Sequence, residues 1–153
     1  MSDRLFDSEQ GVQTSDDYYT PKWIFDAMGL KFDLDVCAPP GGVSWIPAKR
    51  HYSMKDDGLA APWRGRVWMN PPYSKPTPWV DRFIEHGHGV ALVPFTRGMW
   101  MSRIWDSDAG LVRMPYNLKF HRNDKMLQIT FATVLVALGD ECVEAIARVG
   151  KVR

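Results

Sequence analysis

Apolar and polar positions alternate along this chain in two spacings, and the changes from one spacing to the other mark out the elements. Trp23, Ile24, Phe25, Ala27 and Met28 recur with helical period behind Tyr18, Tyr19, Thr20 and Pro21. That spacing predicts a helix with Thr20 as N-cap, Pro21 at its first position and an end near Gly29. Phe32 to Ala38 is short and turns apolar, a strand broken by Pro39, Pro40, Gly41 and Gly42. From Val43 to Trp63 the pattern is poor, with a short strand expected around His51 to Met54 and a turn at Asp56, Asp57 and Gly58.

Beyond that stretch the signals strengthen. Arg66 to Asn70 reads as a buried strand and Pro78 to His88 as a helix, while Gly89 to Phe95 is a nearly continuous apolar run of the kind a parallel sheet buries on both faces. Gly98 to Ser107 reads as a helix, Leu111 to Pro115 as a strand, Ile129 to Leu138 as a long strand and Asp140 to Val149 as a closing helix. Residues 116–128 join two strands as a hairpin or projecting loop.

Strands alternating with helices and ending in a strand pair predict an α/β fold, the sheet mainly parallel with a terminal antiparallel strand and right-handed crossovers. A chain of 153 residues fits one compact domain. The reading is a flexible N-terminal arm over residues 1–17 and one domain over 18–153. Ligands of such sheets bind at the carboxyl ends of the strands. Two loops are expected there as neighbours: Pro39 to Gly42, and the tetrapeptide Asn70, Pro71, Pro72, Tyr73.

Composition narrows the class. The 45% hydrophobic and 24% charged fractions are ordinary for a globular protein, with seven Trp and eight Met to fill a core or cleft. The longest apolar run, Ile129 to Leu138, is too short to cross a bilayer, and the polar start lacks a basic-then-apolar signal. The expectation is a cytoplasmic protein with no membrane partner. Cys37 and Cys142 have no metal-ligand spacing and read as reduced and structural, and the four histidines are not spaced as ligands of one metal. The net charge of +1 means that any polyanion contact comes from local clusters. Four exist: Lys49 to His51; Arg64 and Arg66; Lys119, His121, Arg122 and Lys125; and Arg148, Lys151 and Arg153. Solvated surface charge accounts for each at least as well.

Asn70 to Tyr73 carries the chemistry. The Asn70 and Pro71 carbonyls can each accept one N–H of a flat sp2 amine, while the Tyr73 ring stacks on the planar group behind it. Each proline fixes φ near −65° and removes a competing backbone donor. Asp57, before Gly58, suits either an Asx turn or a cationic or hydroxylated ligand.

Several pieces together resemble one family. They are Tyr19, Thr20, Pro21 and Trp23; Leu34 to Ala38; Asp57, Gly58 and Leu59; Gly65 to Trp68 running into Asn-Pro-Pro-Tyr; Leu92, Val93 and Pro94; Thr96 and Arg97; and Leu118, Lys119 and Phe120. From Tyr18 to about Leu138 the chain resembles the S-adenosylmethionine-dependent DNA adenine-N6 methyltransferases, most closely the phage-type Dam family. The resemblance implies a Rossmann-like methyltransferase sheet, S-adenosyl-L-methionine as cofactor, DNA as partner, and a phage-encoded enzyme acting in the host cytoplasm, in restriction-modification or regulation.

It also implies roles. Thr20, Pro21, Asp35 and Ala38 would hold the methionine part of the cofactor and Asp57 its adenosine part. Asn70, Pro71, Pro72 and Tyr73 would form the catalytic tetrapeptide, acting on an adenine flipped out of the duplex. Tyr73 and Phe120 would stack on the base, with a core role open for Phe120, and Arg97 and Lys119 would hold phosphate or substrate. The chain departs from methyltransferases at large in having Ala38, Pro39, Pro40, Gly41 and Gly42 where a Gly-x-Gly pattern is usual. It also has no long segment like a target-recognition domain, which leaves the loop from Tyr116 to Gln128, the stretch from Lys49 to Met54 and the arm to read sequence. The same tetrapeptide also serves methyltransferases of RNA amines or of the glutamine amide of proteins. A non-catalytic nucleic-acid-binding module is the rival from another class.

Overall fold

The structure is a computed structural model, which describes residues 18–96, 98–122, 125–128 and 131–153. The expected arm over residues 1–17 lies outside the described residues.

Among the described residues, twelve elements and one 3₁₀ turn follow the alternation. They are α1 (Lys22–Met28), β1 (Phe32–Asp35), β2 (Ala48–His51), the 3₁₀ turn (Met54–Asp56), β3 (Val67–Met69), α2 (Thr77–His86), β4 (Gly89–Pro94), α3 (Met99–Trp105), β5 (Gly110–Arg113), β6 (Lys119–Arg122), β7 (Lys125–Gln128), β8 (Thr133–Leu138) and α4 (Asp140–Ile146). Six strands form one sheet in the order β2-β1-β3-β4-β8-β5, and β6 and β7 form a separate hairpin. The β2–β1, β1–β3 and β3–β4 pairs are parallel, while β8 lies antiparallel between β4 and β5. This is the mainly parallel sheet with a late antiparallel strand that the alternation predicts, and its layout is Rossmann-like.

Period-2 alternation sorts the strand side chains onto two faces. Phe32, Trp68, Leu92, Leu135 and Val112 pack on one side with Phe25 of α1 and Ile146 of α4. Leu34, Val67, Val93, Val136 and Leu111 pack on the other with Phe83 of α2 and Ile104 of α3. Both β4 and β8 are buried throughout, as continuous apolar runs require in a sheet covered on two sides. Among the described residues no helix is long and apolar enough to cross a membrane.

Two local expectations are corrected. Pro21, extended at φ −69° and ψ 149°, is the N-cap of α1 and makes no side-chain cap bond. Thr20 therefore does not cap: it is buried, and its Oγ1 has no hydrogen-bond partner among the described residues. The chain there is held extended, since Tyr19 bridges His121 of the hairpin and the Trp45 indole N–H donates to the Thr20 carbonyl at 2.8 Å. The strand expected at His51 to Met54 ends earlier, because Ser53 and Asp56 make a capping box that starts the 3₁₀ turn.

Candidate active site

The carboxyl ends of β1 and β3 open into one cleft of about 510 Å3, within the ~300–1,000 Å3 range of small-molecule sites. One wall is the loop after β1, through Cys37, Ala38, Pro39 and Pro40, and the facing wall includes Asn70 and Pro72. The two loops expected to be neighbours thus share a cavity. The β1 loop is fixed by main-chain bonds: Val36 N–H donates to the Trp68 carbonyl at 3.1 Å and Ala38 N–H to the Tyr52 carbonyl at 2.8 Å.

Asn70 is half-buried at the end of β3. Its Nδ2 donates to the Tyr18 carbonyl at 3.1 Å. Only the amide's N–H can satisfy a carbonyl, so the contact fixes which way the amide faces and leaves Oδ1 as its acceptor. Pro71 is buried beside it, and the Pro72 carbonyl accepts from Lys75 N–H at 3.2 Å, closing a turn into α2.

Tyr73 does not line the cleft. Its hydroxyl donates to the Leu92 carbonyl at 3.2 Å and its ring meets Phe131 edge-on at 5.8 Å. Burial pushes its phenol well above the ordinary range. The rings that do line the cleft are Tyr18, Tyr19 and Trp79. The resemblance puts Tyr73 and Phe120 on the base and gives none of these three rings a role there. Their signal was present in aromatics placed just before an extended Thr-Pro step and at the edge of an amphipathic helix.

Phe120 is fully buried, its ring 6.2 Å from that of Tyr18, so stacking on a base is closed to it in this conformation and it packs against Tyr18. The Arg122 guanidinium also lies over the Tyr18 ring, 5.4 Å from its centre. Lys119 stands exposed on β6 opposite Gln128. Arg97 lies outside the described residues.

Asp35 is 3% exposed at the end of β1, and Cys37 N–H donates to its Oδ1 at 3.2 Å. Burial raises its carboxyl to about 7, and the Cys37 hydrogen bond offsets only part of that. It faces a smaller cavity of about 210 Å3, shared with Gly41, Gly42, Ser44 and His51. Asp35 and Asn70 thus line different cavities, the β1 loop giving Cys37 to Pro40 to the cleft and Gly41 and Gly42 to the smaller cavity. Pro21 is buried at the start of α1 and neither it nor Thr20 is among the residues lining the cleft.

Asp57 is exposed, with φ 53°, and closes the 3₁₀ turn; its carbonyl accepts from Ala60 and Ala61 N–H, both at 2.9 Å. Met54 and Leu59, rather than Asp57, reach the cleft. The segment after Asp57 is clamped from α2: the Arg82 guanidinium donates to the carbonyls of Leu59 and Ala61 and covers the Trp63 ring at 4.7 Å, and the Trp63 indole donates to the Gly58 carbonyl at 2.7 Å. Among the described residues no group of His, Cys, Asp or Glu could hold a metal ion.

A mainly parallel sheet with an antiparallel strand set between its last two members, and a cleft at the carboxyl ends of β1 and β3, is a Rossmann-like methyltransferase architecture. The chain belongs to the DNA N-6-adenine-methyltransferase (Dam) family, whose model matches residues 7–97. It is 41% identical over 71 residues to a DNA N-6-adenine-methyltransferase of Haemophilus phage HP1 (strain HP1c1). That similarity covers 43% of this chain and 39% of the relative, so the match spans about two fifths of the relative's length.

Proposed function

We propose that this chain transfers a methyl group from S-adenosyl-L-methionine to the N6 amine of an adenine turned out of DNA, at a short recognised site, in the cytoplasm of a phage-infected host. The observation that carries the reading is the Asn70 amide. It is anchored through Nδ2 to the Tyr18 carbonyl and stands on the same cleft as the loop after β1. Family membership and the phage relative support adenine in DNA as the acceptor.

The residues present fit the cofactor. Asp35 is a buried carboxylate whose described partner is a single N–H, which suits an α-ammonium reached through the smaller cavity it lines, and the neighbouring cleft offers apolar walls at Ala38, Pro39 and Leu59 for the rest of the molecule. The sulfonium, when bound, supplies an already activated methyl group, so the protein needs no strong general base. Its task is alignment, which can supply about 7–11 kcal/mol in favourable cases. Asn70 Oδ1 and the Pro71 carbonyl hold the amine hydrogens, Tyr19 or Trp79 offers a face for the base, and the apolar walls exclude water.

Labelled methyl transfer to duplex DNA, RNA and protein in parallel tests the proposal. Label on adenine N6 of DNA is expected; an unlabelled DNA where RNA or protein takes label overturns it. Calorimetry with the cofactor separates the enzyme from a non-catalytic module, since absent binding by the folded chain sinks the enzyme reading.

A further inference from the structure

A second groove of about 530 Å3 lies between α3 and the β5 edge of the sheet. Its floor includes Leu111, its rim carries the exposed rings of Phe95 and Trp105, 42% and 53% accessible, and its outer wall is Arg113, Lys151 and Arg153. The wall is built by strand alternation. Arg153 exchanges main-chain hydrogen bonds with Leu111 at 2.7 and 3.1 Å, and Val152 pairs antiparallel with Val112. That register sends Lys151 and Arg153 to the face of Leu111 and Arg113, while Val112 and Val152 pack into the opposite core. No carboxylate side chain is among the described residues lining the groove.

The groove sits on the same edge of the sheet as the candidate active site. Both β4 and β5 run antiparallel to β8 and hence parallel to each other, so Phe95, which follows β4, and Arg113, which ends β5, lie at the carboxyl edge with Asn70. Three strand spacings separate β3 from β5, about 14 Å, or about four nucleotides of duplex rise. Residues 131 and 132 link the groove to the tetrapeptide: Phe131 meets the Tyr73 ring, and the Ala132 carbonyl accepts from Phe95 N–H at 2.8 Å.

We propose that this groove holds the DNA strand flanking the target adenine, with phosphates on Arg113, Lys151 and Arg153 and deoxyribose faces against Phe95 and Trp105. The inference rests on the DNA reading of the neighbouring cleft. Three cations on one side of an apolar trough match a polyanion whose sugars lack a 2′-hydroxyl, and the apolar floor disfavours the extra hydroxyl of RNA.

The test is anisotropy of a labelled DNA duplex titrated with the intact chain across a salt series. It compares the parent with the triple variant Arg113→Gln, Lys151→Gln, Arg153→Gln and with Trp105→Ala. Cofactor calorimetry and thermal melts on the same preparations verify folding. The triple variant should bind at least about tenfold more weakly, with a log–log salt slope shallower by about 2–3. Trp105→Ala should weaken binding about tenfold with the slope unchanged, and both should keep parental cofactor affinity. Variants that bind DNA as the parent does, or a parent that binds no DNA or prefers RNA, overturn the groove. Methyl transfer by the parent separates the two readings. If it methylates DNA and the variants bind normally, the groove alone fails; if it binds DNA through the groove and methylates none, the methyl-transfer reading alone fails.

Discussion

The Asn70 side chain and the Tyr18 main chain are joined by one hydrogen bond, Nδ2 to carbonyl at 3.1 Å, across two segments far apart in sequence. Tyr18 itself contacts the Phe120 ring and the Arg122 guanidinium, both on β6. The hairpin thus supports the segment that orients the amide. Asn70→Ala removes both the acceptor and its anchor, and a misplaced amine of this kind costs about 100-fold in turnover. The expected outcome is kcat for DNA methylation down by about that factor with cofactor affinity unchanged by calorimetry. Unchanged turnover would remove Asn70 from the site.

Asn70 was legible in the sequence because a continuous apolar run stopped by two prolines reports a buried strand ending in a rigid loop. The sheet was legible for the same reason: β4, and β8 from Val134 to Leu138, are continuous apolar runs. The directions of Tyr73 and Phe120 were not. Tyr73 turns inward to satisfy its hydroxyl on the Leu92 carbonyl, and Phe120 is covered by Tyr18, and both partners are set by tertiary packing rather than by neighbours in sequence. The cofactor side was read through Asp35 and Ala38, yet only their positions in the fold show that the two line different cavities and that Leu59 reaches the cleft.

Asp35 gives the protein a pH dependence of definite sign. The folded state holds its proton up to about 7, against an ordinary value of 3.8, because burial penalises the charged form. Folding therefore binds a proton between those values. The stabilisation is complete below about pH 4 and is lost as pH rises toward 7, with about 4 kcal/mol as its upper bound. Denaturant titrations should show a fall in stability over that window in the parent that Asp35→Asn lacks. If the carboxylate meets the cofactor's ammonium, cofactor affinity should rise with pH through about 7 in the parent and lose that rise in the variant.

Tyr73 and Phe120 separate packing from contact with a base. Tyr73→Phe loses one hydrogen bond to the Leu92 carbonyl and should cost about 0.5–1.5 kcal/mol of stability, with methyl transfer retained. Phe120→Ala empties a fully buried site and should cost about 3–5 kcal/mol. Chemical denaturation reads both. A Phe120→Ala protein of parental stability would contradict the buried placement.

Gly58 joins the clamp on α2 to the loop after β1. A Cβ at this position would press on the Val36 carbonyl oxygen and lie 3.0 Å from Cη2 of Trp79. Neither neighbour yields cheaply, since Val36 N–H is tied to the Trp68 carbonyl at 3.1 Å and Trp79 lines the cleft. Overpacking of this kind costs about 1–3 kcal/mol. Relief by moving Val36 would shift Cys37 and Ala38, which line the cleft, so Gly58→Ala should lower the unfolding midpoint and weaken cofactor binding together. A variant with reduced stability and parental cofactor affinity would show that the β1 loop stays in place and that Trp79 alone gives way.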